Sequence, residues 1–137
     1  MNPVSDFIQM RADLARARPD VDIWGAVLNV PLLLGGAFFI AHIEGQLVLG
    51  TEILALLVAG QIHKRRPLSR LIGICHIVWL PLIPFLLHRV VAGDLRFWLR
   101  SWVALSLVLI SACVVMDAFD LYRYLRTNNK TYVRPAA

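Results

Sequence analysis

Two apolar runs, residues 51–62 and 68–84, flank a basic turn, His63-Lys64-Arg65-Arg66-Pro67. Each run carries one ionisable side chain in its interior, Glu52 in the first and His76 in the second. Long apolar runs joined by a short charged turn read as a hairpin of two membrane-crossing helices. Pro67 stops one helix and opens the next. The rest of the chain is of the same kind. Of its 137 residues 58% are hydrophobic, against about 45–50% in soluble domains, and its mean hydropathy is +0.66. A soluble chain of about 150 residues still leaves about 30% of its unfolded surface exposed, so a fold this small has nowhere to bury the excess. The net charge of +5 lies beside apolar spans. That points to anionic lipid headgroups rather than nucleic acid, since no basic patch occurs with exposed aromatics.

The expected fold is all-α: an integral membrane bundle of four transmembrane helices over 23–43, 46–63, 68–91 and 99–119. A helix of about 20 residues rises about 30 Å and spans the hydrocarbon core. Residues 1–22 form a polar segment in which Ser5 caps a short helix ended by Pro19. Phe7, Met10 and Leu14 share one side of it, together with Arg11 and Arg18. That helix lies in the interface or remains a loose tail. No basic n-region opens the chain, and the first apolar run is too long and too late for a cleaved signal, so the N-terminus is expected to be retained. Pro31 bends the first span near Val27, and Pro81 and Pro84 kink the third in its outer half. Residues 44–46 are read as the turn between the first two spans. Asp94 to Trp102 form an outer connection, and Phe97, Trp98 and Trp102 fit an interfacial belt. The fourth helix continues to Arg126, where Asp120 pairs with Arg123 or Tyr124. A loose tail runs over 127–137 to Pro135.

Eleven of the fourteen basic residues fall on one side of these spans; Arg89, Arg96 and Arg100 fall on the other. The positive-inside rule then puts both termini in the cytoplasm, in a bacterial inner membrane. Lys64, Arg65, Arg66 and Arg70 are the expected contacts to anionic lipid. Small residues mark helix-packing seams: Ala37, Ala41 and Gly45 on the first, Ala55 and Ala59 on the second. On the fourth, Ala104, Ser111 and Ala118 recur every seven residues, with Val108 and Val115 between them.

Four polar residues lie inside spans. Glu52 sits about 9 Å below the outer edge. A carboxylate costs about 2.5–3.5 kcal/mol to insert at mid-bilayer and less near the edge, so Glu52 faces the bundle, a partner or water. It is read either as a proton or cation site or as a hydrogen-bonded structural carboxyl. His76 enters from the inner face, about 12 Å from Glu52 along the membrane normal on a 30 Å core. That depth count excludes a direct Glu52–His76 pair and groups Glu52 with the outer face. Asp117, on the fourth helix at a similar depth, is the better partner for His76. Asn29 is read as interhelical hydrogen-bonding glue.

His42, Glu44 and His88 gather near the outer face as a possible metal set, though without HxxxH or HExxH spacing. His63 at the inner edge allows only a shallow haem pairing with His76. Cys75 and Cys113 show no CxxC spacing and read as small buried hydrophobes rather than a disulfide or zinc framework. No enzyme motif is present, Gly35-Gly36 reads as packing, and no cofactor is implied. Three function classes follow, in this order. The first is an accessory subunit acting through helix contacts with a membrane-protein partner or in a homo-oligomer. The second is an oligomeric transporter or channel using Glu52. The third is a lipid-, quinone- or haem-handling protein using His76.

Overall fold

The structure, a computed structural model, describes residues 2–93, 95–127 and 130–132, so Asp94, Arg134 and Pro135 lie outside the described residues. The chain forms α1 (Pro3–Ala17), α2 (Pro19–Phe38), α3 (Ile43–Arg65), a 3-10 helix (Arg70–Trp79), α4 (Leu82–Ala92) and α5 (Phe97–Arg126). Helices α2, α3 and α5 are each long and apolar enough to cross a membrane. The 3-10 helix and α4, bent by 46° at their junction, make a fourth candidate span.

Several boundaries differ from expectation. Asn2, not Ser5, caps α1: its side-chain oxygen accepts from the Val4 N–H at 3.0 Å, while the Ser5 hydroxyl donates back to the Asn2 carbonyl. Pro19 opens α2 as well as closing α1, because a missing N–H is harmless at a first helical position. Residues 19–22 therefore belong to α2, which ends at Phe38. The turn falls at 39–42, and Glu44 and Gln46 join the first turns of α3.

The third span departs most. A proline-kinked α-helix is expected; residues 70–79 instead wind as a 3-10 helix. Pro81 lacks an N–H and its ring crowds the Ile77 carbonyl. That carbonyl is taken by the Leu80 N–H at 3.2 Å, in the tighter i→i−3 pattern. A 3-10 helix rises about 2.0 Å per residue, so His76 lies about 12 Å beyond Arg70 rather than about 9 Å.

The packing forms a ring: α2 on α3, α3 on the 3-10 helix, that helix on α5, and α5 back on α2. Leu32, Val48, Trp79, Leu86, Val103 and Ile110 are buried in its larger core cluster. α1 lies across α3 and α2, with Met10 and Leu14 buried against Ala55 and Ala59. Gly60 admits it: a Cβ there would lie 2.8 Å from the Phe7 nitrogen. Gly36 gives the close approach of α2 to α3, since a Cβ would lie 2.9 Å from the Leu49 Cβ and 3.3 Å from the Gly45 carbonyl oxygen.

The seams differ from those read in the sequence. Gly45, Ala55 and Ala59 are buried, but Ala37 and Ala41 are exposed, because α2 stops before the four-residue repeat can continue. On α5 the buried face carries Leu99, Trp102, Val103, Ser106, Ile110 and Cys113. Ala104 and Ser111 are only half-buried, and Ala118, Val108 and Val115 are exposed, so that stripe points away from the bundle. Large side chains won the inner face.

The tail is not loose throughout. The Tyr132 N–H donates to the Leu68 carbonyl at 2.8 Å, and the Arg70 N–H donates to the Lys130 carbonyl at 3.1 Å. This forms a single antiparallel bridge, Ser69 to Thr131.

Candidate functional site

Helix α5 carries Cys113 and Asp117 one turn apart, at i and i+4, so both fall on one face. The 3-10 helix packs antiparallel to it and brings His76 between them. The His76 Nδ1–H donates to Asp117 Oδ2 at 2.7 Å. Cys113 Sγ lies 3.5 Å from that nitrogen and 3.7 Å from that oxygen. The imidazole stacks on Trp79, centroids 4.2 Å apart and planes 19° apart. Gly73 makes room for the carboxylate: a Cβ there would lie 2.6 Å from Asp117 Oδ1. The His76–Asp117 pair is legible in the sequence. Cys113 as its third member was not, although the Cys113-to-Asp117 spacing was its signal.

One turn further along α5, Asp120 meets buried Arg70, not Arg123 or Tyr124 as the local spacing suggests. Its other oxygen accepts from the Tyr132 hydroxyl at 3.0 Å, and the Arg70 guanidinium lies over the Tyr132 ring at 5.1 Å. Burial first, then the Asp120 carboxylate, pushes the Tyr132 phenol above its ordinary range. The bridge at Thr131 brings Tyr132 here, an arrangement that no local pattern announces.

Both clusters line one cavity of about 500 Å³. Its walls come from α1, α2, α3, the 3-10 helix and α5, with Tyr132 of the tail. Met10, Leu14, Trp24, Leu28 and Met116 supply apolar surface; His76, Cys113 and Asp117 form a polar wall; Arg11, Arg18, Asp20, Arg70, Asp120 and Arg123 add charge. α2 and α5 meet where the Trp102 indole donates to the Pro31 carbonyl at 3.3 Å, and the cavity lies between their other halves. Asn29 lines it and has no hydrogen-bond partner among the described residues, so it is not the interhelical glue expected of it.

The remaining candidates lie elsewhere. Glu52 is fully buried, and neither carboxylate oxygen has a hydrogen-bond partner among the described residues. It does not line the cavity. Helix α3 begins at Ile43, so Glu52 lies nine residues, about 13.5 Å, from its start, deeper than the roughly 9 Å expected from a turn at residues 44–46. His42, Glu44 and His88 do not converge: both histidines are exposed, and Glu44 is buried in an ion pair with Arg89. His63 is buried, with Nε2 3.0 Å from Asp13 Oδ2 and Nδ1 accepting the Leu68 N–H at 3.2 Å. Both nitrogens are engaged, which removes it as a haem ligand. Leu68 adopts a left-handed φ of 53° to make that contact. Of the basic turn, Lys64 binds Asp6, Arg66 donates to the Tyr124 hydroxyl and Arg70 is buried on Asp120. Only Arg65 is exposed without a partner among the described residues.

The arrangement does not build a nucleophilic relay. Such a relay needs the carboxylate and the nucleophile on opposite imidazole nitrogens, whereas here both sit at Nδ1. What it provides is a polar wall on an apolar cavity. Comparison with protein-family models, with curated proteins and with solved structures returned no match, so the reading of function rests on this geometry.

Proposed function

We propose that the chain is an integral protein of a bacterial inner membrane, a bundle of four crossings with both termini cytoplasmic, that binds an amphiphile of the cytoplasmic leaflet. The cavity beside His76 carries this reading. Its volume falls in the range of about 300–1,000 Å³ typical of ligand sites, and it joins an apolar interior to an arginine-lined end. At that end Arg11, Arg18 and Arg70 are held by Asp22, Asp20 and Asp120. Arg123 is exposed and has no ion-pair partner among the described residues, leaving its guanidinium for an anionic head. The excess of basic residues that the sequence assigns to that side supports the orientation.

This moves amphiphile handling ahead of the other classes. A transport site needs access to water, and Glu52 is enclosed and outside the cavity. The subunit reading keeps one observation in its favour: the Ala104, Ser111 and Ala118 stripe is not used inside the fold. If a partner docks there, Ala104→Leu releases it; recovery unchanged by that substitution counts against it.

Native mass spectrometry of protein purified in mild detergent tests the main reading. The wild type is expected to carry about one amphiphile per chain. Gly25→Trp, which fills the cavity from α2, is expected to lose it while keeping its helical content. Retention unaffected by a folded Gly25→Trp would overturn the reading.

A further inference from the structure

We infer that His76, Cys113 and Asp117 form a binding site for a tetrahedral divalent transition metal, Zn²⁺ by ligand type, with its fourth position open to the cavity. One ligand atom from each residue, Nδ1, Sγ and Oδ2, lies within 4.8 Å of the other two. A tetrahedral zinc ion with bonds of about 2.3 Å to sulfur and about 2.05 Å to nitrogen and oxygen sets its ligands about 3.5 Å apart for S···N and S···O and about 3.3 Å apart for N···O. The two sulfur edges here are 3.5 and 3.7 Å. Only the N···O edge, at 2.7 Å, is shorter, because a proton holds it closed as a hydrogen bond. Replacing that proton by the metal asks the carboxylate to swing by about 0.6 Å, and Gly73, where a Cβ would lie 2.6 Å from Asp117 Oδ1, is the surface it rests against.

Charge favours the exchange. In a low-dielectric interior a site must be near neutral. A dication with a Cys113 thiolate, an Asp117 carboxylate and a neutral imidazole sums to zero. Binding moves the imidazole proton from Nδ1 to Nε2 and releases the thiol proton to solvent. The ligand types select among metals: thiolate with imidazole suits zinc over magnesium or calcium, which take oxygen. Three protein ligands with one open position is the arrangement of sites that bind water or a ligand oxygen, not of closed structural sites. The inference does not depend on what fills the cavity.

Co²⁺ is the spectroscopic probe and Zn²⁺ the competitor, added to tag-free, full-length protein in detergent. The expected result is one Co²⁺ per chain, a thiolate-to-cobalt charge-transfer band with tetrahedral visible bands, and displacement of both by Zn²⁺. Cys113→Ser is expected to abolish the charge-transfer band, His76→Gln to weaken binding by about tenfold or more, and Cys75→Ser to leave both unchanged. Circular dichroism and gel filtration confirm that each variant is folded. No stoichiometric binding by folded wild type overturns the site, as does a band lost in Cys75→Ser and kept in Cys113→Ser. Gly73→Ala is a second check, because it displaces Asp117 without removing a ligand. Affinity unchanged by it would contradict the geometry.

Discussion

Arg70 and Asp120 form the most heavily buried cation–carboxylate pair on the cavity wall, with side chains 8% and 19% exposed. Removing one partner from such a pair leaves the other charged and desolvated, at a cost of about 3–5 kcal/mol. Arg70→Met is therefore expected to lower stability by about that amount in chemical unfolding, and Arg70→Met with Asp120→Leu by much less. Equal losses in the single and double variants would show that the pair contributes little. Glu52 should behave in the opposite way. Its carboxyl is buried without a partner, so Glu52→Leu removes a desolvation penalty of about 1–3 kcal/mol and is expected to hold or raise the melting temperature. A marked drop would mean that Glu52 has a partner after all. Both residues stand out in the sequence as charges beside or within apolar runs. Their surroundings do not: Asp120 lies fifty residues from Arg70, and its local partners Arg123 and Tyr124 were the only ones the sequence could nominate.

At the scale of elements, α1 and the third span carry the clearest consequences. α1 is held on α3 by Asp13 with His63 and by Asp6 with Gln61 and Lys64. The His63 hydrogen bond holds the Asp13 carboxyl below its ordinary value of 3.8, and the Gln61 hydrogen bond, then Lys64, does the same for Asp6. Depressed folded values mean that both carboxylates support docking above pH 3.8 and lose that support as pH falls through their lowered values. Protection of α1 amides, measured relative to α5, is expected to fall as pH drops below 3.8. Relative protection unchanged through that range would contradict it. Pro19, Phe7, Met10 and Leu14 made the existence of α1 legible, because capping and apolar spacing are local. The winding of residues 70–79 was not legible. A proline announces lost hydrogen bonds but not whether the preceding turns stay α or tighten to 3-10. That ambiguity moved His76 by about 3 Å along its helix, while the turn at 39–42 set Glu52 deeper than counted. The α5 seam failed for a related reason: a seven-residue repeat of small side chains marks a face fit for packing without saying whether this chain or another fills it.

For the whole molecule, the long apolar helices were readable from composition alone, since no soluble fold of this length could bury so much apolar surface. The cavity was not, because five helices and Tyr132 of the tail contribute its walls. α5 is about 45 Å long at 1.5 Å per residue, well beyond a hydrocarbon core of about 30 Å. In the proposed orientation its charged last turns stand outside lipid while Cys113 lies within it. An anionic head near Arg123 and a tail against Leu28 and Met116 fit that division. Photo-crosslinking with a diazirine-tagged fatty acid in vesicles, followed by peptide mapping, tests this central claim most directly. The expected label falls on residues 24–29 of α2 and 113–123 of α5, and is lost in Gly25→Trp. Label spread evenly along the lipid-facing side of α5, through Val108 and Val115, and unchanged in that variant, would contradict the account.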